Sequence, residues 1–417
     1  MTITKAYKSK LWITMLFVSI TIYHLCYIGY VFGAIALNAA FIFFAENLGN
    51  IKIVFMCFLL LMFLLNMQKM IMIPKKNFFV FFSLFCFTCY HLFRTLFNNN
   101  VIIQDAVEPM IWVLILLNAY LLFYKSSVDV TEFRGLIYIC FFVLSISSIP
   151  LILLRIQGLD TTGAFARPAY FAFTLFPFVF TQKKDKLQLV VIVSGLLLLI
   201  STTKRTGIIA CFASLIVYYF LELKLTGTLK QVMSKLFKYI IGIAVGLGIT
   251  AWFIEYTNSN VIERFMALSR DGGSSRDIIW STTAERFSNF SWYDKLFGRG
   301  YLAVSREVAA TGRDINAHND FIEFLYDYGY IGLILLTLFW ISLVMYFVFL
   351  YKRKSQMLSV YGSCLISLLI FCLFSYGFVQ STTVNFLVMF IGFVLAKDPI
   401  KETNEPVKNK KYIRITS

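Results

Sequence analysis

The chain has 417 residues, of which 59% are hydrophobic and 14% charged, with 45 Phe and a mean hydropathy of +0.75. These values exclude a water-soluble globular domain. The formal net charge of +16 would suit a nucleic-acid partner, but the placement of the cations excludes that reading.

Apolar runs of about 18 residues or more, enough to cross roughly 30 Å of hydrocarbon, recur along the chain. They predict spans near 11–33, 51–73, 78–97, 101–124, 135–157, 168–181, 187–201, 206–222, 239–256, 325–351, 357–377 and 380–396. Continuous runs such as LQLVVIVSGLLLLI lack the alternation of a β-barrel. The expected fold is therefore an all-α polytopic membrane protein with about 12 transmembrane helices.

The basic start MTITKAYKSK leads into an apolar run too long for a signal peptide, so an uncleaved first helix is expected. Residues 1–256 carry spans one to nine, and 257–318 form one long polar loop. An interfacial helix and spans ten to twelve occupy 319–396, and a charged, solvated tail fills 397–417. Loops of such length are usually functional or disordered. The amphipathic pieces DIIWSTTAERFSNF and YDKLFGRGYLAV favour a partly folded cap lying on the membrane. All eight cysteines (Cys26, Cys57, Cys86, Cys89, Cys140, Cys211, Cys364, Cys372) lie in or beside apolar spans. Neither a disulfide framework nor metal-ligand spacing is evident.

With the N-terminus inside, most cations fall on cytoplasmic segments, and nearly all of these are Lys. Topology explains that excess. The other face differs, because there arginine dominates: Arg94, Arg155, Arg167, Arg205, Arg264, Arg270, Arg276, Arg286, Arg299, Arg306 and Arg313, against Lys52, Lys204 and Lys295. A planar guanidinium fork suits bidentate grip on phosphate or carboxylate. The outer face reads as built to hold an anion, although loop carboxylates such as Asp271, Asp294 and Glu307 offer the arginines ordinary ion-pair partners.

Two cationic sites interrupt membrane segments. STTKRTGII puts Lys204 and Arg205 in a short turn between two apolar runs, near the interface and facing a cavity or headgroups. GAFARPAYF puts Arg167 directly before Pro168, at a helix start. Headgroup snorkelling is the plainer alternative for both.

His24 and His91 lie inside apolar spans and read as core residues. His318 opens the polar cluster INAHNDFIEFLYDYGYIG. Asn319 or Asp320 can cap the helix that follows. Asp320, Glu323 and Asp327 share one face of it, and Gly329 and Gly332 allow a break before the apolar run. On spacing alone this is a capped helix start with a solvated acidic face. Chemically, a neutral histidine can take a proton from a hydroxyl, and clustered arginines can hold a pyrophosphate leaving group. Together they suit metal-independent hydroxyl attack on a phosphate-activated group at the outer membrane face, without a cofactor.

SSRDIIWSTTAERF, KLFGRGY, AHNDFIEFLYDYGYIGL and STTKRTGII, in that set, resemble the signature of the O-antigen ligase and polymerase superfamily. The resemblance implies a GT-C-like membrane glycosyltransferase, multi-pass in the bacterial inner membrane, with both termini cytoplasmic. It would act on undecaprenyl-pyrophosphate-linked glycans at the periplasmic face in lipopolysaccharide biosynthesis, with a chain-length regulator as partner. Arg205 and Arg276 would contact the pyrophosphate and His318 would activate the acceptor hydroxyl. Lys204, Arg167, Arg299, Asn319 and Glu323 are candidate substrate-binding residues. The HNDFIEFLYDYG form and the high Phe content are more similar to the polymerase (Wzy-type) members than to the ligases. A flippase or transporter is the competing class, but it usually places ionisable groups at mid-membrane.

Overall fold

The computed structural model describes residues 2–35, 38–68, 73–97, 102–124, 126–156, 164–202, 204–226, 276–308, 316–375 and 377–397, with isolated positions between 234 and 248. Apart from those isolated positions, the predicted ninth span, loop residues 257–275 and 309–315 with Arg264, Arg270 and Arg313, and the tail from 398 onward lie outside the described residues.

Among the described residues, seven helices are long and apolar enough to cross a membrane. They are α1 (Thr2–Tyr30), α2 (Ile42–Asn66), α3 (Phe78–Leu96), α4 (Glu108–Phe123), α5 (Arg134–Ile156), α9 (Arg205–Thr226) and α13 (Asp320–Lys352). Three shorter apolar helices accompany them: α8 (Lys186–Ser201), α14 (Leu358–Phe374) and α15 (Asn385–Lys397).

The predicted sixth span is broken into α6 (Arg167–Phe173) and α7 (Phe176–Phe180). Pro168 and Pro177 each occupy a first turn, where a missing N–H is tolerated, and Pro177 prevents α6 from continuing. The second span starts earlier than expected, at Ile42. Its polar AENLGN stretch stays helical, with Asn47 Nδ2 donating back to Phe43 O at 2.9 Å.

Helix α4 forms the axis, because its spanning window is 89% buried. Against it lies α15, equally enclosed. A Cβ on Gly392 would stand 2.4 Å from Leu116 O, so these two backbones touch. By contrast, α2 and α3 keep rows of exposed apolar side chains, among them Leu61, Leu65, Phe82 and Phe85, as lipid-facing helices do.

Polar contacts gather at the two ends of the bundle. At one end Lys10 meets Glu132 at 3.6 Å, Arg134 pairs with Asp185, Lys184 pairs with Glu222, and Lys397 donates to Ser126 O. These are the segments expected on the cytoplasmic side. The other end carries the described arginines of the opposite face and a second, smaller core. There α10 (Arg276–Ser288), α11 (Trp292–Phe297) and α12 (Ala303–Val308) pack Ile279, Phe287, Val304 and Val308 around Tyr326 and Ala317. This cap sits on the first turns of α13.

Candidate functional site

Helix α13 is broken at Gly329, whose φ of 66° and ψ of −164° interrupt the helical ladder. Its first segment therefore ends at Tyr328, and that segment's last carbonyls need new donors. The LFGRG stretch supplies them. Arg299 N donates to Tyr326 O at 3.0 Å and Gly300 N to Asp327 O at 2.8 Å. The Tyr90 hydroxyl donates to Tyr328 O at 2.8 Å and to Phe297 O at 3.1 Å. Arg94 Nη2 donates to Gly298 O at 2.7 Å.

Burial rules out a solvated acidic face on this segment: Asp320, Glu323 and Asp327 are each 0% exposed. Each serves backbone N–H groups instead. Asp327 accepts from Leu302 N, Ala303 N and Val304 N at 2.8, 2.9 and 3.3 Å, which caps α12. Asp320 accepts from Gly377 N and Phe378 N at 3.3 and 2.6 Å, tying α13 to the crossover between α14 and α15. Glu323 Oε1 accepts from Ala317 N at 2.6 Å, and its carboxylate also takes the backbone N–H of His318.

That last contact shapes His318. The residue has φ 53°, a left-handed conformation that a side chain disfavours. It is held from both sides. Glu323 grips the backbone before it, Trp280 Nε1 donates to Ala317 O at 2.7 Å, and Asn319 Oδ1 caps α13 through Phe321 N and Ile322 N at 3.0 and 3.3 Å. Asn319 and Glu323, candidate substrate contacts on sequence grounds, thus have defined work in shaping the histidine turn.

The imidazole is partly buried, and burial pushes its pKa down to about 3 from the ordinary 6.5. Arg276, Arg167 and Lys204, in that order, push it further the same way. The structure thus brings together His318, Arg276, Arg167 and Lys204, which lie on four separate stretches of the chain. Arg276 is the first residue of α10, Arg167 the first of α6, and Lys204 immediately precedes α9. Arg205 opens α9 beside Lys204. Arg299 lies elsewhere on the cap, paired with Asp294 at 3.1 Å and stacked 4.6 Å over the Phe290 ring.

Sequence reading missed several members of this neighbourhood as site residues. The Tyr170 hydroxyl lies within electrostatic reach of Arg155, Arg276 and Arg167, and hydrogen-bonds the backbone of Gly207. A Cβ on Gly207 would stand 2.3 Å from the Tyr170 ring, so that contact needs a glycine. Arg155 Nε donates to Thr202 O at 2.7 Å, bringing the end of α5 to the Lys204 turn. Arg167 donates to the Tyr27 hydroxyl and, at 3.2 Å, to Gln380 Oε1. Tyr170 follows Arg167 by one helical turn's spacing, a signal that was readable. Nothing local marks Tyr27 or Gln380.

A half-buried neutral imidazole beside three cations can accept a proton from a neutral hydroxyl while an anion occupies the cationic groups. Among the described residues, no group of three His, Cys, Asp or Glu side chains is arranged to hold a metal ion. No curated protein matches the chain. Residues 189–337 match the family model Wzy_C, described as O-antigen ligase. That stretch contains Lys204, Arg205, Arg276 and His318, and leaves out Arg167. Residues 189–337 thus form a domain like that of the O-antigen ligase/polymerase superfamily.

Proposed function

We propose that the protein is an O-antigen polymerase. It joins oligosaccharide repeat units carried on undecaprenyl pyrophosphate at the periplasmic face of the inner membrane. The acceptor sugar's hydroxyl oxygen forms a bond to the donor's anomeric carbon as the bond from that carbon to the pyrophosphate oxygen breaks. His318 receives the hydroxyl proton. The pyrophosphate leaves with the bonding electron pair on its oxygen, and Arg276, Arg167 and Lys204 offset that charge, with Arg205 beside them.

One observation carries this reading: a neutral, conformationally constrained imidazole set among three cations on separate elements. A base with so low a pKa is weak alone. A bound diphosphate raises that pKa, because its negative charge offsets the cations' share of the depression. Substrate binding would thereby activate the base.

The polymerase form rests on the HNDFIEFLYDYG pattern, so the test must separate it from its relatives. In a deletion strain, a lipopolysaccharide gel showing core with a single repeat unit supports a polymerase. Bare core with accumulated lipid-linked polymer identifies a ligase instead. Bare core with no periplasmic intermediate identifies a flippase.

A further inference from the structure

Lys52 and Glu108 form an ion pair inside the bundle that the glycosyl-transfer chemistry does not use. Their Nζ–Oε2 distance is 2.8 Å, and the residues are 9% and 5% exposed. Burying such a pair is costly, and an apolar pair of similar volume is often at least as stable. Ionisable residues within membrane helices therefore usually serve a function.

The contacts of Glu108 lead to the candidate site. Its Oε1 accepts from Thr382 Oγ1 at 3.0 Å. Thr382 is 2% exposed and gathers polar contacts from α1 as well. Its carbonyl accepts from His24 Nε2 at 2.8 Å, and its hydroxyl lies 3.5 Å from that of Tyr23. Two residues earlier on the same crossover, Gln380 holds Arg167. One turn beyond Tyr23 and His24 on α1, Tyr27 holds the same guanidinium nitrogen of Arg167. The far end of the crossover is tied to Asp320, two residues from His318.

We infer that the Lys52–Glu108 pair, through Thr382 and Gln380, is a positioning element that aims Arg167 at the leaving diphosphate. This rests on the anion-binding reading of the Arg276–Arg167–Lys204 cluster. Glu108 fixes the crossover, Gln380 and Tyr27 restrict the guanidinium, and the fork is set before the substrate arrives. Preorganisation of this kind raises affinity by reducing the ordering cost of binding.

The test uses the full chain in nanodiscs and measures binding of undecaprenyl diphosphate alongside thermal stability. Gln380→Ala and Thr382→Val are each expected to weaken binding about tenfold, the worth of one hydrogen bond in a charged network. Thr382→Ser retains the hydroxyl and is expected to stay within about twofold of the parent. The melting temperature of Gln380→Ala should stay at the parent value. Parent-like affinity in Gln380→Ala overturns the inference, as does an affinity loss that only tracks a fall in melting temperature. If the parent protein fails to bind the lipid diphosphate, the anion-site reading falls and takes this inference with it.

Discussion

Gly298 and Gly329 stand backbone to backbone. A Cβ on Gly329 would lie 2.6 Å from Gly298 N and 2.4 Å from Leu296 O. A Cβ on Gly298 would lie 2.3 Å from Asp327 O. Both residues are left-handed, at φ 75° and 66°. The LFG-x-G segment and the α13 break are thus two halves of one joint, which couples the cap to the helix that carries the histidine turn. Gly298→Ala and Gly329→Ala are each expected to cost at least about 1–3 kcal/mol from backbone strain alone. Limited proteolysis should show faster cleavage around 289–300 in both, with the membrane helices still protected. Unchanged protection would show that the joint tolerates a side chain.

Asp327 gives a second handle on the same joint. Its carboxylate receives three backbone N–H groups at the start of α12, and Asn can offer only one oxygen to them. Asp327→Asn should destabilise the cap by about 1–3 kcal/mol, the range for stranding buried donors. Asp327→Ala should cost more. A thermal-shift series that ranked the two variants alike, both near the parent, would contradict the capping role.

Hydropathy and charge made much of this structure readable in advance. Apolar run length located most of the long helices, the charged turn between two apolar runs made Lys204 a candidate, the polar cluster did so for His318, and the family resemblance did so for Arg276. Periodicity also placed Asp320, Glu323 and Asp327 on one face. It could not say what covers that face, so water was assumed where the structure has backbone N–H groups. The roles of Gln380 and Thr382 were out of reach for a similar reason. Their partners lie hundreds of residues away, on α1, α4 and α6, and no local pattern encodes such contacts. The split of the sixth span was readable in principle, since Pro177 stood in mid-run.

His318 serves two demands that substitution can separate. Its backbone adopts φ 53°, which Asn accepts readily and β-branched residues do not. Its imidazole is the proposed base. His318→Asn should therefore abolish polymer on a lipopolysaccharide gel while leaving melting temperature near the parent value. His318→Val should lose both, with strain of about 1–3 kcal/mol added. Full-length polymer from His318→Asn would remove the residue from the chemistry.

The pH dependence tests whether the cations act on the histidine. With its pKa near 3, the free protein's imidazole stays unprotonated down to pH 5, so kcat/KM should not fall on an acid limb near 6.5. Arg276 is the largest charge pushing the value down. Replacing it with a neutral residue moves the pKa upward, toward the ordinary histidine value. Protonation then sets in at higher pH, and the base is lost as pH falls through the new value. Arg276→Gln should accordingly show lower kcat/KM at every pH, because it also loses a diphosphate contact. Beyond that uniform loss, its acid limb should lie above that of the parent. The limb reports the free protein because kcat/KM does. Parent and variant limbs at the same pH would separate Arg276 from the histidine's titration, leaving it a role in holding the anion alone.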